Sequence, residues 1–105
     1  MRILSYEVTG QHIKPVGDHS GIVSGSIGYL KAQFKFSEEW DGCVKVASFF
    51  YDGDEYAKKL DKENSCEIPQ EVLSGSFFEV SVEGRKPGYR IPSRRIKERQ
   101  IGGGR

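Results

Sequence analysis

The chain has 105 residues, 36% of them hydrophobic and 30% charged, a composition that indicates one globular domain and excludes a disordered chain. No apolar run approaches the ~18 residues of a membrane-spanning helix, and the N-terminus lacks the apolar stretch of a signal peptide. The net charge of +1 divides unevenly, since residues 1–84 carry eight basic and fourteen acidic side chains whereas residues 85–105 carry eight basic and one acidic. We therefore expect an acidic body, residues 1–84, followed by a basic C-terminal arm, residues 85–105.

The N-terminal part of the chain predicts two short strands with a loop between them. Residues 3–8 and 21–24 have the composition of strands, while His12 and His19 flank a stretch of Pro and Gly that is typical of a loop. The glycine-rich run 21–28 lacks the Gly-Lys-Ser/Thr ending that holds phosphate, and it precedes a strand rather than a helix. We interpret this run as a loop with turns.

The middle of the chain predicts a series of strands joined by tight turns. Strict alternation over residues 29–36 indicates a strand with one buried and one solvated face. The turn that follows should place Trp40 on the core, and Asp52-Gly53 suits the positive φ angles of a hairpin. Residues 69–73 begin with Pro and predict one helical turn. Further strands are predicted over residues 43–51, 55–60, 65–68 and 77–82.

About seven short strands separated by turns favour an all-β fold. We predict an antiparallel β-sandwich, Ig-like or jelly-roll-like, with one short helical turn at residues 69–73. The arm from residue 85 onward has no periodic face and is expected to be extended, with one strand at most around Tyr89.

No pattern of residues indicates catalysis, a cofactor or a metal. The cysteines and histidines lack the short ligand spacing of a zinc site, and residues 52–55 have only part of the ligand pattern of a calcium loop. We therefore expect no enzyme activity, no cofactor and no metal. Cys43 and Cys66 are expected to be free thiols, buried or half-buried, and a disulfide formed after oxidation is the alternative.

The basic arm supplies the candidate partner-binding residues: Arg85, Lys86, Arg90, Arg94, Arg95, Lys97 and Arg99. Such a cluster can neutralise nucleic-acid phosphates, dock on an acidic protein surface or remain a solvated tail. We favour protein docking, because Tyr89 is the only aromatic residue of the arm and a base-stacking platform needs more. A small nucleic-acid-binding accessory protein is the alternative.

Four motifs follow one another over residues 20–84. They are Tyr-Leu-x-Ala-x-Phe-x-Phe-Ser-x-Glu-Trp-Asp-Gly at residues 29–42, Lys-x-Ala-x-Phe at 45–49, Cys-x-Ile-Pro-x-Glu-Val-Leu at 66–73 and Val-Ser-Val-x-Gly at 80–84. In this order they resemble the β-sandwich module at the N-terminus of baseplate and fibre proteins of tailed phages that infect Gram-positive hosts. The resemblance implies a virion structural protein, attached to a head or tail platform, without catalytic residues.

The resemblance also implies a set of core framework residues: Tyr29, Phe34, Phe36, Trp40, Phe49, Ile68, Pro69 and Leu73. Related modules lead into a longer fibre or a second domain, whereas this chain stops at Arg105, so a free-standing adaptor, a decoration protein and a fragment are all open. We expect a baseplate, fibre-attachment or capsid-decoration protein that is assembled in the host cytoplasm. Its expected partners are other virion proteins and further copies of itself, with no membrane.

Overall fold

Two β-sheets pack face to face in the computed structural model, which describes residues 1–102, and the predicted all-β sandwich is confirmed. The strands are β1 (Arg2–Thr9), β2 (His12–Val16), β3 (Leu30–Phe36), β4 (Val44–Tyr51), β5 (Asp54–Lys59), β6 (Ser65–Glu67), β7 (Phe77–Lys86), β8 (Tyr89–Pro92) and β9 (Ile96–Arg99). Two short 3₁₀ turns, Glu38–Trp40 and Gln70–Leu73, carry the chain from the first sheet to the second. The second of them confirms the helical turn predicted after Pro69.

The first sheet has the strand order β2-β1-β3-β6, and in the second sheet β5-β4-β7 is completed by β8 and β9, which both pair with β7. The pairs are antiparallel as predicted, with the exception of β1 and β3. A parallel pair needs a crossover connection, and the glycine-rich run 21–28 is part of it. The prediction of a strand over residues 21–24 is therefore wrong. These residues form only one isolated bridge, between Val23 and Ile101.

The core lies between the sheets and contains nearly all of the predicted framework. Its buried members are Phe34, Trp40, Phe49, Ile68, Pro69 and Leu73, and Phe36 is half-buried against them. Tyr29 is 51% exposed, so its predicted place in the core is wrong. Tyr29 immediately precedes Leu30, the buried first residue of β3. Successive side chains of an extended chain point to opposite faces, so the side chain of Tyr29 faces solvent.

Trp40 closes one end of the sandwich between the two sheets. Its indole Nε1 donates to the carbonyl oxygen of Gly10 at 2.8 Å, and its ring lies 4.9 Å from that of Phe36. On the other side it packs against Gly84 of β7, where a Cβ atom would come within 2.8 Å of the ring. Gly84 is therefore required by the close approach of the indole rather than by a turn.

The segment that the sequence predicts as an extended arm is part of the second sheet. Strand β7 continues to Lys86, so the predicted boundary after Gly84 falls inside a strand. Strands β8 and β9 then pair with β7, and the inward side chains of Ile91 and Glu98 are buried. The predicted extended arm is therefore wrong for residues 85–102. The strand predicted around Tyr89 is confirmed. Residues 103–105 of the predicted arm lie outside the described residues.

Glu98, the single acid of the basic segment, anchors β9 in the interior. Its Oε2 accepts a hydrogen bond from the Tyr6 hydroxyl at 2.6 Å and lies 2.6 Å from Nδ1 of His19. The other ring nitrogen, Nε2, lies 2.9 Å from the Ser5 carbonyl oxygen, which can only accept, so Nε2 donates there. Burial, followed by the charge of Glu98, raises the pKa of Tyr6 well above its usual range. The cluster ties β9 to β1 and to the crossover loop.

Both cysteines are free thiols, as predicted. Cys66 is buried in β6 of the first sheet, and Cys43 is half-buried just before β4 of the second. Burial raises the pKa of the Cys66 thiol to about 12. Since the thiolate is the reactive form, Cys66 is expected to be inert in the folded protein at neutral pH.

Candidate functional site

Strands β7, β8 and β9 bring most of the predicted partner-binding residues onto one surface, the outward face of the second sheet. The five that lie there are Arg85, Arg90, Arg95, Lys97 and Arg99. In β7 the inward positions are occupied by buried residues such as Phe78 and Val80, which leaves the alternate positions facing solvent. We call this surface the basic face. It consists of Val44, Val46, Ser48, Phe50, Glu55, Ala57, Lys59, Phe77, Glu79, Ser81, Glu83, Arg85, Arg90, Pro92, Arg95, Lys97 and Arg99.

Glu83 lies between two arginines at one end of the basic face. Its Oε2 accepts hydrogen bonds from the Nε groups of Arg85 and Arg90, the latter at 3.1 Å. The hydrogen bonds from Arg90 and then Arg85 lower the pKa of Glu83, and the same contact raises the pKa of Arg90. The carboxylate neutralises only one of the two guanidinium groups, so this end of the face keeps a positive charge.

Arg95 lies flat across the sheet. It follows β8 at the sheet edge, yet its guanidinium carbon is 3.6 Å from the ring centroid of Phe50 in β4, on the far side of β7. Its Nη1 is 3.4 Å from Oε1 of Glu79, and its other N–H groups have no hydrogen-bond partner among residues 1–102. Stacking on an aromatic ring contributes about 0.5–1 kcal/mol at an exposed site, enough to restrict the orientation of the guanidinium.

Lys97 forms a second contact of the same kind. Its Nζ lies 4.3 Å from the ring centroid of Phe77, the first residue of β7. Phe77 is 41% exposed, so the ring and the ammonium group are both accessible to a partner. The face thus presents two cations, each resting on a phenyl ring.

Two of the predicted partner-binding residues lie elsewhere. Lys86 faces the opposite way, where its Nζ donates to the Asp41 carbonyl oxygen at 2.9 Å and lies over the ring of Tyr89. Arg94 lies in the irregular stretch between β8 and β9, and its backbone N–H donates to the carbonyl oxygen of Gln11 at 3.1 Å. The structure therefore does not bring these two together with the other five.

The basic face carries a net charge of +3, because its six bases, which include Lys59 of β5, outnumber its three acids, Glu55, Glu79 and Glu83. The whole chain carries +1, so the remainder carries −2. Apolar side chains lie among the charges, and Val44 is 54% exposed. A positive potential over an exposed and partly apolar surface favours an anionic partner.

The aromatic part of this face was missed by the sequence analysis. Phe50 and Phe77 belong to strands that the sequence does predict, but the pairing of β9 with β7 is what places cations over them. One signal could have revealed the pairing, since the bases Arg95, Lys97 and Arg99 alternate with Ile96, Glu98 and Gln100. Alternation with a period of two indicates a strand, even when the outward residues are all charged.

Other kinds of site receive little support from the described residues. Within residues 1–102 no three His, Cys, Asp or Glu side chains are grouped so that they could hold a metal ion. The same part of the chain has no helix with the length and apolar character needed to cross a membrane. Comparison with known proteins finds no matching family model, no similar curated protein and no similar solved structure. Function must therefore be inferred from the basic face itself.

Proposed function

We propose that the chain is a non-enzymatic structural protein of a phage virion, and that its basic face docks on an acidic surface of a neighbouring protein. The observation that carries the docking proposal is the convergence of five bases from one C-terminal segment on a single exposed sheet face. Arginine and aromatic residues are the types most enriched in the binding centres of protein interfaces. The four motifs over residues 20–84 support a place in a baseplate, a fibre attachment or a capsid decoration.

Arg95 is the residue that we expect to contribute most to docking. Phe50 and Glu79 already hold its guanidinium, so less side-chain entropy is lost when a carboxylate binds. A planar guanidinium also binds a carboxylate through two parallel hydrogen bonds, which a lysine cannot do. Replacing such an anchor by alanine typically costs about 2 kcal/mol or more of binding free energy.

The docking proposal is tested with a fluorescent oligoglutamate peptide as the probe, at physiological salt. Lys97→Glu on the basic face should weaken binding at least tenfold. Lys62→Glu is the matched control, because Lys62 is an exposed lysine in the loop after β5 and its reversal changes the net charge equally. Equal weakening by both variants would overturn a defined docking face, since it would indicate attraction to the net charge alone.

Nucleic-acid binding is the second candidate, and it is favoured by the two phenyl rings beneath the cations. Stacking of a base on an aromatic side chain contributes about 1–3 kcal/mol, and Phe50 and Phe77 offer two such rings. The same titration with a single-stranded oligonucleotide separates the two functions. Tighter binding of the oligonucleotide than of oligoglutamate, lost in Phe77→Leu, would replace docking on a protein by binding of nucleic acid.

The virion part of the proposal is tested separately, by mass spectrometry of intact phage particles purified from cells that produce the chain. We expect the chain in fixed stoichiometry with the other structural proteins. Recovery of the chain only in the soluble fraction of the lysed cells would overturn a virion role, whatever the basic face binds.

A further inference from the structure

The outward face of the first sheet carries an exposed apolar cluster at one end. Ile3 of β1 is 52% exposed and lies beside Lys31 of β3. Met1 and Tyr29 precede the first pair of the same two strands, and they are 73% and 51% exposed. Val16 of the neighbouring β2 is also exposed and pairs with Ser5, two residues along β1 from Ile3. The strand register places these four exposed side chains near one another across three strands, and we call them the apolar patch.

A shallow open depression lies directly beside this patch on the same face. Its volume is about 520 Å³, and it is lined by Ser5, Glu7, Val16, Gln33, Lys35 and Asn64 among others. Ser5 and Gln33 are paired in the parallel register of β1 and β3, which places them side by side. The face therefore has a protruding apolar end and, next to it, a hollow of the size that holds a small ligand or a large side chain.

The charges on this face are almost balanced. Its outward lysines are Lys14, Lys31 and Lys35, and its outward acids are Glu7 and Glu67, so the net charge is +1. Two copies of such a face can approach each other without strong repulsion. Two copies of the basic face, at +3 each, would repel, and that surface needs an acidic partner instead.

We propose that the outward face of the first sheet binds a second copy of this chain. In a two-fold interface each residue i meets residue j while j meets i, so one surface must supply both the protrusion and the hollow. This face supplies both. Ile3 and Tyr29 of each copy would enter the depression of the other, and the lysines of one copy would face Glu7 and Glu67 of the other. The inference is independent of what the basic face binds.

The area of the outward face of the first sheet determines how strongly we expect two copies to bind each other. Four strands at ~4.8 Å spacing and seven residues at ~3.3 Å each give a surface of roughly 20 by 23 Å. Two copies would then cover on the order of 900 Å² in all, below the ~1,200 Å² of most stable complexes. We therefore expect a weak dimer that forms at high protein concentration and dissociates on dilution.

The test is the mass of the full chain by sedimentation velocity over a dilution series. The expected result is a species of about twice 11.8 kDa at high concentration that falls to the monomer on dilution. Ile3→Asp and, separately, Tyr29→Ser should weaken the association at least tenfold. Val44→Asp is the matched control, because Val44 is an equally exposed aliphatic residue on the basic face, and it should associate like the unmodified chain.

Several outcomes would overturn the inference. One is a monomer at every concentration, and another is dissociation by Val44→Asp with no effect of Ile3→Asp or Tyr29→Ser. Thermal unfolding of each variant shows whether weaker association comes from a lost contact or from a lost fold. If Ile3→Asp fails to fold, Tyr29→Ser still tests the inference, provided that it keeps the native unfolding transition. Oligoglutamate binding by Ile3→Asp should be unchanged, so failure of the dimer and failure of the docking proposal are separable.

Discussion

The two outward faces of the sandwich differ although both inward faces contribute buried apolar residues to one core. The first sheet presents an apolar end, a shallow hollow and nearly balanced charge, whereas the second presents six bases, three acids and two phenyl rings under cations. Both patterns arise from the same alternation along strands, which fixes one face for the core and leaves the other free to specialise. We propose that the two faces bind two kinds of partner, a second copy on the first sheet and an acidic surface on the second.

The basic face also depends on the first sheet for its construction. Strand β9 carries Lys97 and Arg99 outward, and between them Glu98 turns inward to Tyr6 and His19. A buried polar cluster that belongs to the first sheet and the crossover therefore holds the edge of the second sheet in place. Changes in this cluster should reach the basic face, whereas changes on the basic face should leave the cluster intact.

The largest expected effect comes from Glu98→Ala, which removes the link between the two sheets. It leaves Nδ1 of His19 and the Tyr6 hydroxyl without a partner in the interior, and each buried polar group left unsatisfied costs about 1–3 kcal/mol of unfolding free energy. Urea unfolding measures the loss. Lys97→Ala, one residue earlier and exposed, is the control and should cost little; a loss below about 1 kcal/mol for Glu98→Ala would contradict the anchoring role.

A smaller effect is expected from Gly84→Ala, which crowds the indole that closes the sandwich. The added Cβ would meet the ring of Trp40 at 2.8 Å, and overpacking of a core costs about 1–3 kcal/mol. Gly102→Ala is the matched control, because a Cβ there meets nothing within 4 Å. If the two variants unfold at the same urea concentration, the close packing of Trp40 on β7 is not a constraint.

These contacts also mark how far the sequence could predict the fold. Alternation was sufficient for β3 and β7, and strand-like composition was sufficient for β1 and β4. The buried position of Trp40 followed from the turn between β3 and β4. Strand β2 was missed because it contains Pro15, which an edge strand tolerates because one side of its backbone has no partner. Strand β8 was predicted around Tyr89, whereas β9 was obscured by its charge, since the outward residues of an edge strand can all be basic without disturbing the core. The parallel pairing of β1 with β3 leaves no local signal at all.

The sequence predicts which bases bind a partner, but it does not predict that they lie together on one face of a sheet. Seven bases were selected from the C-terminal segment, and five of them meet on one sheet surface. Their convergence depends on the register between β7 and β9, which is a tertiary property. The apolar end of the first sheet was not predicted, because Tyr29 was expected in the core. Tyr29 is exposed in the structure because β3 begins with the inward-facing Leu30, and its neighbour therefore faces outward.

A third expectation concerns the buried thiol of Cys66 and the dependence of the unfolding free energy on pH. The folded pKa of Cys66 is raised to about 12 from an ordinary value of 9.0, so its contribution to stability is complete below pH 9 and is lost as pH rises from about 9 toward 12. By pH 10 the loss should be about 1.4 kcal/mol. Urea unfolding at pH 8 and pH 10 measures it. Cys66→Ala should reduce the fall; a fall in this variant as large as in the unmodified chain would assign it to other groups.

The smallest expected change in unfolding free energy is that of Arg95→Ala. This variant should lose oligoglutamate binding while keeping nearly all of its stability. Arg95 is exposed, so loss of its contacts with Phe50 and Glu79 should cost less than about 1 kcal/mol of unfolding free energy. Oligoglutamate binding by the same variant should fall at least tenfold. Retained binding would remove Arg95 from the docking face, and a large loss of stability would make it a structural residue instead.

The most direct test of the two-face account is the amide NMR spectrum of the chain titrated with oligoglutamate at physiological salt. We expect shift changes confined to residues of β7, β8 and β9 and to β4 around Phe50, with the amides of β1, β2 and β3 unmoved. Shift changes centred on Ile3, Tyr29 and Lys31, or spread over both sheets, would contradict the assignment of the acidic partner to the second sheet alone.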